Sequence, residues 1–126
     1  MHNPNCFDKG EPMKIFLCAP YTNHDPEIVN ARVTAINAHT ALLMNQGHIV
    51  FSPISHSHYI AMENDLPTTF EFWKKQNHEF IVWCDSIVIL KLDGWKESKG
   101  VKDELEFARI LGKGYILENP VMEKNK

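Results

Sequence analysis

Residues 86–92 read Ser-Ile-Val-Ile-Leu-Lys-Leu. This run is continuous rather than alternating and too short for a helix, so it suits a strand buried on both faces. That requirement dominates the fold, because such a strand needs helices above and below it. Three other short apolar runs accompany it: Ile15 to Ala19, Ile49 to Phe51 and Tyr115 to Leu117. Helical segments separate them. Asp25-Pro26 is an N-cap followed by proline at the first helical position, and Gly47 is a matching stop. A second helix is expected from Leu66-Pro67 to about Cys84. A third is expected from about Lys99 to Leu111, ended by Gly112 and Gly114. The order β-α-β-α-β-α-β with right-handed crossovers predicts a parallel sheet covered on both faces. Ligands bind such sheets at the carboxyl ends of the strands. Here those ends are segments 20–24, 52–65, 93–100 and 118–120.

The chain has 126 residues, enough for one domain and too few for two. Residues 1–12 read as a loose polar arm and 13–126 as the domain. No apolar run reaches the roughly 18 residues of a membrane span. The net charge of −3 and the presence of only Arg32 and Arg109 as arginines argue against a nucleic-acid-binding surface. Three widely spaced cysteines, Cys6, Cys18 and Cys84, make neither a disulfide framework nor a zinc ribbon. With no secretory signal in view, the expected location is the cytoplasm.

Two polar residues interrupt apolar helix stripes. On a wheel of about 100° per residue, Val101, Leu105, Phe107, Ala108, Leu111 and Gly112 form one arc of the last helix. Glu104 is the charged residue inside that arc. A buried carboxylate costs several kcal/mol unless it is paired or tuned, and desolvation would raise its pKa. It is therefore either a catalytic group or part of a structural network. On the preceding helix, Phe70, Trp73, Phe80, Ile81 and Cys84 make a stripe with Asn77 at its centre. A core asparagine must find partners, so Asn77 either braces a loop or reaches a site.

The segment Gly94-Trp95-Lys96-Glu97-Ser98-Lys99-Gly100-Val101 joins a strand end to a helix start. Free backbone N–H groups there, the Ser98 hydroxyl and the close approach allowed by Gly100 suit an anion such as phosphate; an ordinary capped turn reads the same way. Ser52-Pro53-Ile54-Ser55-His56-Ser57-His58 contains a His-x-His pair. No Asp, Glu or Cys stands at ligand spacing to complete a metal set, so His56 and His58 read as polar pocket wall.

Three stretches carry a resemblance: Met13-Lys14-Ile15-Phe16-Leu17-Cys18-Ala19-Pro20-Tyr21, the 51–58 segment beginning Phe51-Ser52-Pro53, and Leu92 to Glu104 with its Gly-Val-x-x-Glu. Together they resemble a small bacterial and phage branch of the nucleoside 2-deoxyribosyltransferase superfamily, which also holds nucleoside 5′-monophosphate N-glycosidases. The resemblance implies a flavodoxin-like three-layer α/β sandwich with four to five parallel strands. It implies dimers or dimer-based oligomers, no cofactor and no metal. It makes Glu104 the nucleophile, lines the nucleotide pocket with Pro20 and Tyr21, and matches Ser98 to the phosphate-binding serine of the monophosphate hydrolases. The superfamily usually carries an aspartate, assisting the leaving base, where this chain has Asn77. Asparagine binds a base but has no carboxyl proton to give. Protonation would then come from water, Glu71, His56 or His58.

The implied chemistry suits a lone buried glutamate. Breaking an N-glycosidic bond passes through an oxocarbenium-like state that a carboxylate stabilises and can trap covalently. The leading expectation is cleavage or exchange of the base of a deoxynucleoside or of a (deoxy)nucleoside 5′-monophosphate, with a small-molecule partner. The alternatives are a nucleotide-binding or sensor module on the same fold, and an FMN-binding flavodoxin. The last would need a Thr/Ser-rich loop where Pro20-Tyr21-Thr22-Asn23 stands.

Overall fold

The structure is a computed structural model that describes residues 11–121. Most of the expected arm, residues 1–10 with Cys6, lies outside the described residues. The elements are β1 (Lys14–Cys18), α1 (Pro26–Asn45), β2 (Ile49–Phe51), α2 (Pro53–Asn64), α3 (Phe70–Trp83), β3 (Ser86–Leu90), α4 (Lys99–Ile110) and β4 (Gly114–Glu118). The four strands form one sheet in the order β2-β1-β3-β4. Every pairing is parallel, with Ile15 opposite Ser86 and Phe16 opposite Ile87 in the central pair. This is the flavodoxin-like architecture, with the smaller of the expected strand numbers.

Alternation along the two central strands divides the core. Phe16, Cys18, Ile87 and Ile89 face α3 and α4, where Ile81, Val101 and Ala108 meet them. Ile15, Leu17, Val88 and Leu90 face α1 and pack on Ile36 and Leu43. All five residues of β3 are buried, as its uninterrupted apolar run requires. Burial of each such aliphatic side chain contributes roughly 1.5–3 kcal/mol. Two helix starts follow their sequence signals. Asp25 accepts from the Glu27 N–H at 2.9 Å ahead of Pro26. Ser98 Oγ accepts from the Val101 N–H at 3.2 Å.

Three features differ from the sequence expectation. The 52–65 segment is largely the helix α2, capped by Ser52 and closed by Asp65 in a left-handed conformation at φ 57°. Its buried face is Pro53, Ser57, His58 and Ala61, so it has no apolar stripe to reveal it. The next helix begins at Phe70 rather than at Leu66-Pro67. Leu66 N–H is used to close α2 on the Ala61 carbonyl, and the Pro67 carbonyl accepts from Trp73 Nε1 at 2.8 Å. Leu111 leaves the α4 arc and is exposed, because it is the C-cap residue.

The connection from β1 runs to β2 on one side, whereas β3 lies on the other. The strand order therefore reverses between β1 and β3, and a crevice opens outside their carboxyl ends. Among the described residues no helix is long and apolar enough to cross a membrane.

Candidate active site

The crevice is a cavity of about 390 Å³, within the usual size of small-molecule sites. Its floor is α4. Glu104 lies one turn into that helix, on the buried side between Val101 and Ala108, and is 6% exposed. Asn77, from the middle of α3, donates through Nδ2 to Glu104 Oε2 at 3.0 Å. Cys18 ends β1 in the same apolar cluster as Val101 and Ala108, and its buried thiol lies close enough to Glu104 for each to shift the other's ionisation.

These contacts set the charge of the floor. Burial pushes the Glu104 carboxyl up from its ordinary range to about 7; the hydrogen bonds from Cys18 and Asn77 pull the other way, and the nearby Asp103 adds to the rise. Cys18 is itself raised well above the usual thiol range by burial and by the Glu104 charge. It thus stays a protonated donor. No cation bonds the Glu104 carboxylate among the described residues, so near neutrality it exchanges its proton readily.

The walls are aromatic and apolar. Tyr21, three residues past β1, meets the buried His58 of α2 through its hydroxyl at 2.7 Å, the rings edge to face. Burial raises the Tyr21 phenol above its ordinary value, so it keeps its proton. Phe70 and Trp73 face the opening from α3, and Pro20 and Ile54 complete the apolar surface.

The mouth is polar. Ser98 and Gly100 begin α4 there, and the Lys99 and Gly100 N–H groups of the first turn have no intrahelical partner. Lys99 reaches outward to Glu71 at 3.1 Å. Arg32 of α1 spans the entrance, donating from Nη1 to the Thr22 carbonyl at 3.0 Å and from Nη2 to the Asp93 carbonyl at 2.9 Å. It ties the loop after β1 to the loop after β3. Gly94, at φ +92°, makes room: a Cβ there would lie 2.8 Å from Arg32 Nη2.

Of the residues singled out in the sequence, the fold brings Glu104, Asn77, Pro20, Tyr21, His58, Ser98 and Gly100 to this one cavity. His56 does not reach it. On a helix, residues two apart point in different directions, so α2 turns His58 inward and leaves His56 exposed beside Ser57 Oγ and the Phe51 ring. The two imidazoles therefore cannot act as a pair. Glu71 is also outside, paired with Lys99 and largely exposed. Segment 118–120 lies at the far edge, where Glu118 meets His39 at 2.7 Å. Cys18 and Arg32 were not readable as site residues. Cys18 looks like any core residue of a strand, and the partners of Arg32 are backbone carbonyls.

The family described as "Domain of unknown function (DUF1937)" matches residues 13–118. Among solved structures, the chain is similar to the 2-deoxyribosyltransferase of the psychrotolerant bacterium Bacillus psychrosaccharolyticus, a biocatalyst for nucleoside synthesis. The TM-score is 0.58 and the identity 29%, over 90% of this chain and 77% of that one. No curated protein matches the sequence.

Proposed function

The chain belongs to the DUF1937 family and is nucleoside 2-deoxyribosyltransferase-like; from that premise we propose that it is a cytoplasmic enzyme that cleaves or exchanges the N-glycosidic bond of a nucleoside or its 5′-monophosphate, with Glu104 as nucleophile. The observation that carries the reading is Glu104 itself, a carboxylate held at the floor of a nucleoside-sized cavity with a pKa of about 7 and, among the described residues, no cation bonded to it.

The ionised Glu104 attacks the anomeric carbon from the face opposite the base. A carbon–oxygen bond forms while the carbon–nitrogen bond breaks, and its electron pair leaves with the base. The base nitrogen takes up a proton. Of the donors considered from the sequence, His58 lies in the cavity, with Tyr21 beside it as a protonated phenol, whereas His56 and Glu71 do not. The glycosyl ester is then opened by water, giving free sugar and returning the carboxylate, or by the nitrogen of a second base, giving exchange. Ser98 and the first amides of α4 receive a 5′-phosphate. A dimeric assembly belongs to the same proposal: Phe72, Val82, Ile110 and Tyr115 leave large apolar side chains exposed for a second copy to cover.

A nucleotide-binding module without turnover is the second reading, favoured by an amide at position 77 that has no proton to give a leaving base. Incubation with a panel of nucleosides and 5′-monophosphates, with free base followed by chromatography, separates the two. Base release is expected. Binding of a nucleotide with every glycosidic bond intact would overturn the enzyme reading.

A further inference from the structure

The reading above leaves one proton without an assigned donor. The departing base must take it up, Glu104 is committed to the sugar, and the Asn77 amide has none to give. Among the described residues, few other ionisable groups line the cavity. Lys99 is turned outward to Glu71 at 3.1 Å, and both Nη atoms of Arg32 are held by backbone carbonyls. Glu97 stands exposed at the mouth, beside the start of α4. Tyr21 and His58 remain, bonded to each other at 2.7 Å. His58 is 4% exposed. Its Nδ1 is spent on the Tyr21 hydroxyl, whereas its Nε2 bonds no group among the described residues. Unlike Asn77 Oδ1, that nitrogen is not sealed away, and the ring it belongs to lines the cavity.

The partner on Nδ1 decides what the imidazole can do. A carboxylate there would favour the cation, and a backbone N–H would hold the ring neutral. A phenol does neither, because its oxygen both donates and accepts. Burial keeps the Tyr21 proton in place. When the ring is an imidazolium, the phenol oxygen accepts from Nδ1–H. The same bond holds after Nε2 has given up its proton. When a neutral ring carries its hydrogen on Nε2, the phenol O–H donates to Nδ1 instead. The contact at 2.7 Å thus survives each protonation state. That tolerance is what a proton carrier requires.

We propose that His58 Nε2 is the general acid and base of the reaction, with Tyr21 as the residue that positions it. The proposal rests on Glu104 as the nucleophile of the reading above. In the first half, the carbon–nitrogen bond breaks and its electron pair goes to the base. The imidazolium gives its Nε2 proton to that base, which leaves neutral, while Glu104 forms the glycosyl ester. In the second half, the oxygen of a water bonds the anomeric carbon and the ester carbon–oxygen bond breaks back to the carboxylate. The water's proton goes to Nε2, which restores the imidazolium. With a second base in place of water, its ring N–H supplies the same proton. A donor of this kind contributes roughly 10²–10⁴-fold in rate.

The test uses the full chain and compares leaving groups that need a proton with ones that do not. The first class is AMP, GMP, CMP and UMP with their 2′-deoxy forms. The second is 7-methylguanosine 5′-monophosphate, whose base is already cationic, and 4-nitrophenyl ribofuranoside 5-phosphate with its 2-deoxy analogue, whose phenol leaves as a stable anion. Release above the uncatalysed rate gives kcat/KM. His58→Gln keeps a hydrogen-bonding end but has no proton to transfer. It should lose about 100-fold or more on the first class and less than about threefold on the second. Tyr21→Phe should show the same contrast with a smaller loss. In the parent, the first class should show an alkaline limb, where the imidazolium is lost, that the second class lacks. Both classes should share the acid limb of Glu104. An equal loss on both classes in His58→Gln overturns the proposal and leaves the glycosidase reading standing, as does a variant at the parent rate. If that variant does not fold, the parent profiles decide: an alkaline limb common to both classes, or missing from both, overturns the proposal. If no substrate of either class is cleaved, the glycosidase reading and this proposal fall together.

Discussion

Helices α3 and α4 are joined by two adjacent polar rungs that have opposite characters. On the outer rung, His78 Nε2 meets Asp103 Oδ2 at 2.7 Å, with Lys74 at 3.9 Å from the other carboxylate oxygen and the imidazole stacked on Phe107. On the inner rung, one residue over on each helix, Asn77 meets Glu104. The outer carboxylate keeps 27% of its side chain in solvent and has basic partners. The inner one is almost fully buried at the cavity floor and is offered an amide and a thiol. A rung built for stability would resemble the outer one, since a buried carboxylate without a cation costs free energy. The inner rung gives up stability and gains a carboxyl that changes charge near neutral pH. Reactive carboxylates are made this way.

The comparison breaks most decisively at Glu104. Glu104→Gln keeps the volume and a hydrogen-bonding end but removes the charge, so base release should fall by about three or more orders of magnitude. Stability should move the other way. The folded protein holds the Glu104 proton up to a pH of about 7, whereas an unfolded glutamate releases it near 4.5. The parent therefore loses stability as pH rises through that window. The glutamine variant does not, and it should gain up to about 3 kcal/mol at pH 8 with little difference at pH 4. Thermal melts at the two pH values, beside a base-release assay, check both halves. A near-parent rate would end the nucleophile assignment.

A smaller effect is expected from removing the amide that bonds the carboxylate. Asn77→Leu deletes a donor that holds the Glu104 pKa down, so the acid limb of the pH–rate profile should move to higher pH. The rate of base release should fall roughly tenfold at pH 6.5 and recover towards the parent value in alkali. A limb that stays in place would make the inner rung a mere brace. The smallest effect belongs to the outer rung. Asp103→Asn removes a negative charge that raises the Glu104 pKa, so the acid limb should move slightly to lower pH. Stability should change by no more than about 1 kcal/mol. A shift in the opposite direction would show that the two rungs are not coupled through charge.

Glu104 and Asn77 were legible because each stands alone on an apolar arc, and the arc survives folding wherever the helix packs on the sheet. The α1 and α4 starts were legible for the same local reason, since Asp25 and Ser98 cap within three residues of themselves. Helix α2 was not, because its inward face is proline, serine, histidine and alanine, and tertiary enclosure rather than periodicity holds it. That single omission also misled the reading of His56 and His58, which look equivalent in a loop and point apart on a helix. Phe70 and Trp73 read as core but stand half-buried at the opening. Nothing in a stripe distinguishes a side chain that meets the sheet from one that meets a cavity.

The Arg32 clasp ties the evolutionary freedom of two distant positions together. Gly94 is empty of side chain because the guanidinium lies where a methyl group would go. A residue with a Cβ at 94 would push Nη2 off the Asp93 carbonyl, and the turn at φ +92° would resist it as well. Loss of the arginine would leave a glycine with no spatial reason to persist, yet still bound by its backbone twist. Sequence drift at the entrance therefore has a preferred order: position 94 can take a side chain without cost only once the guanidinium has moved and the turn has left the left-handed conformation. Changes that fit a differently shaped ligand are therefore expected at the floor, where single side chains can be exchanged, rather than at the Arg32 clasp.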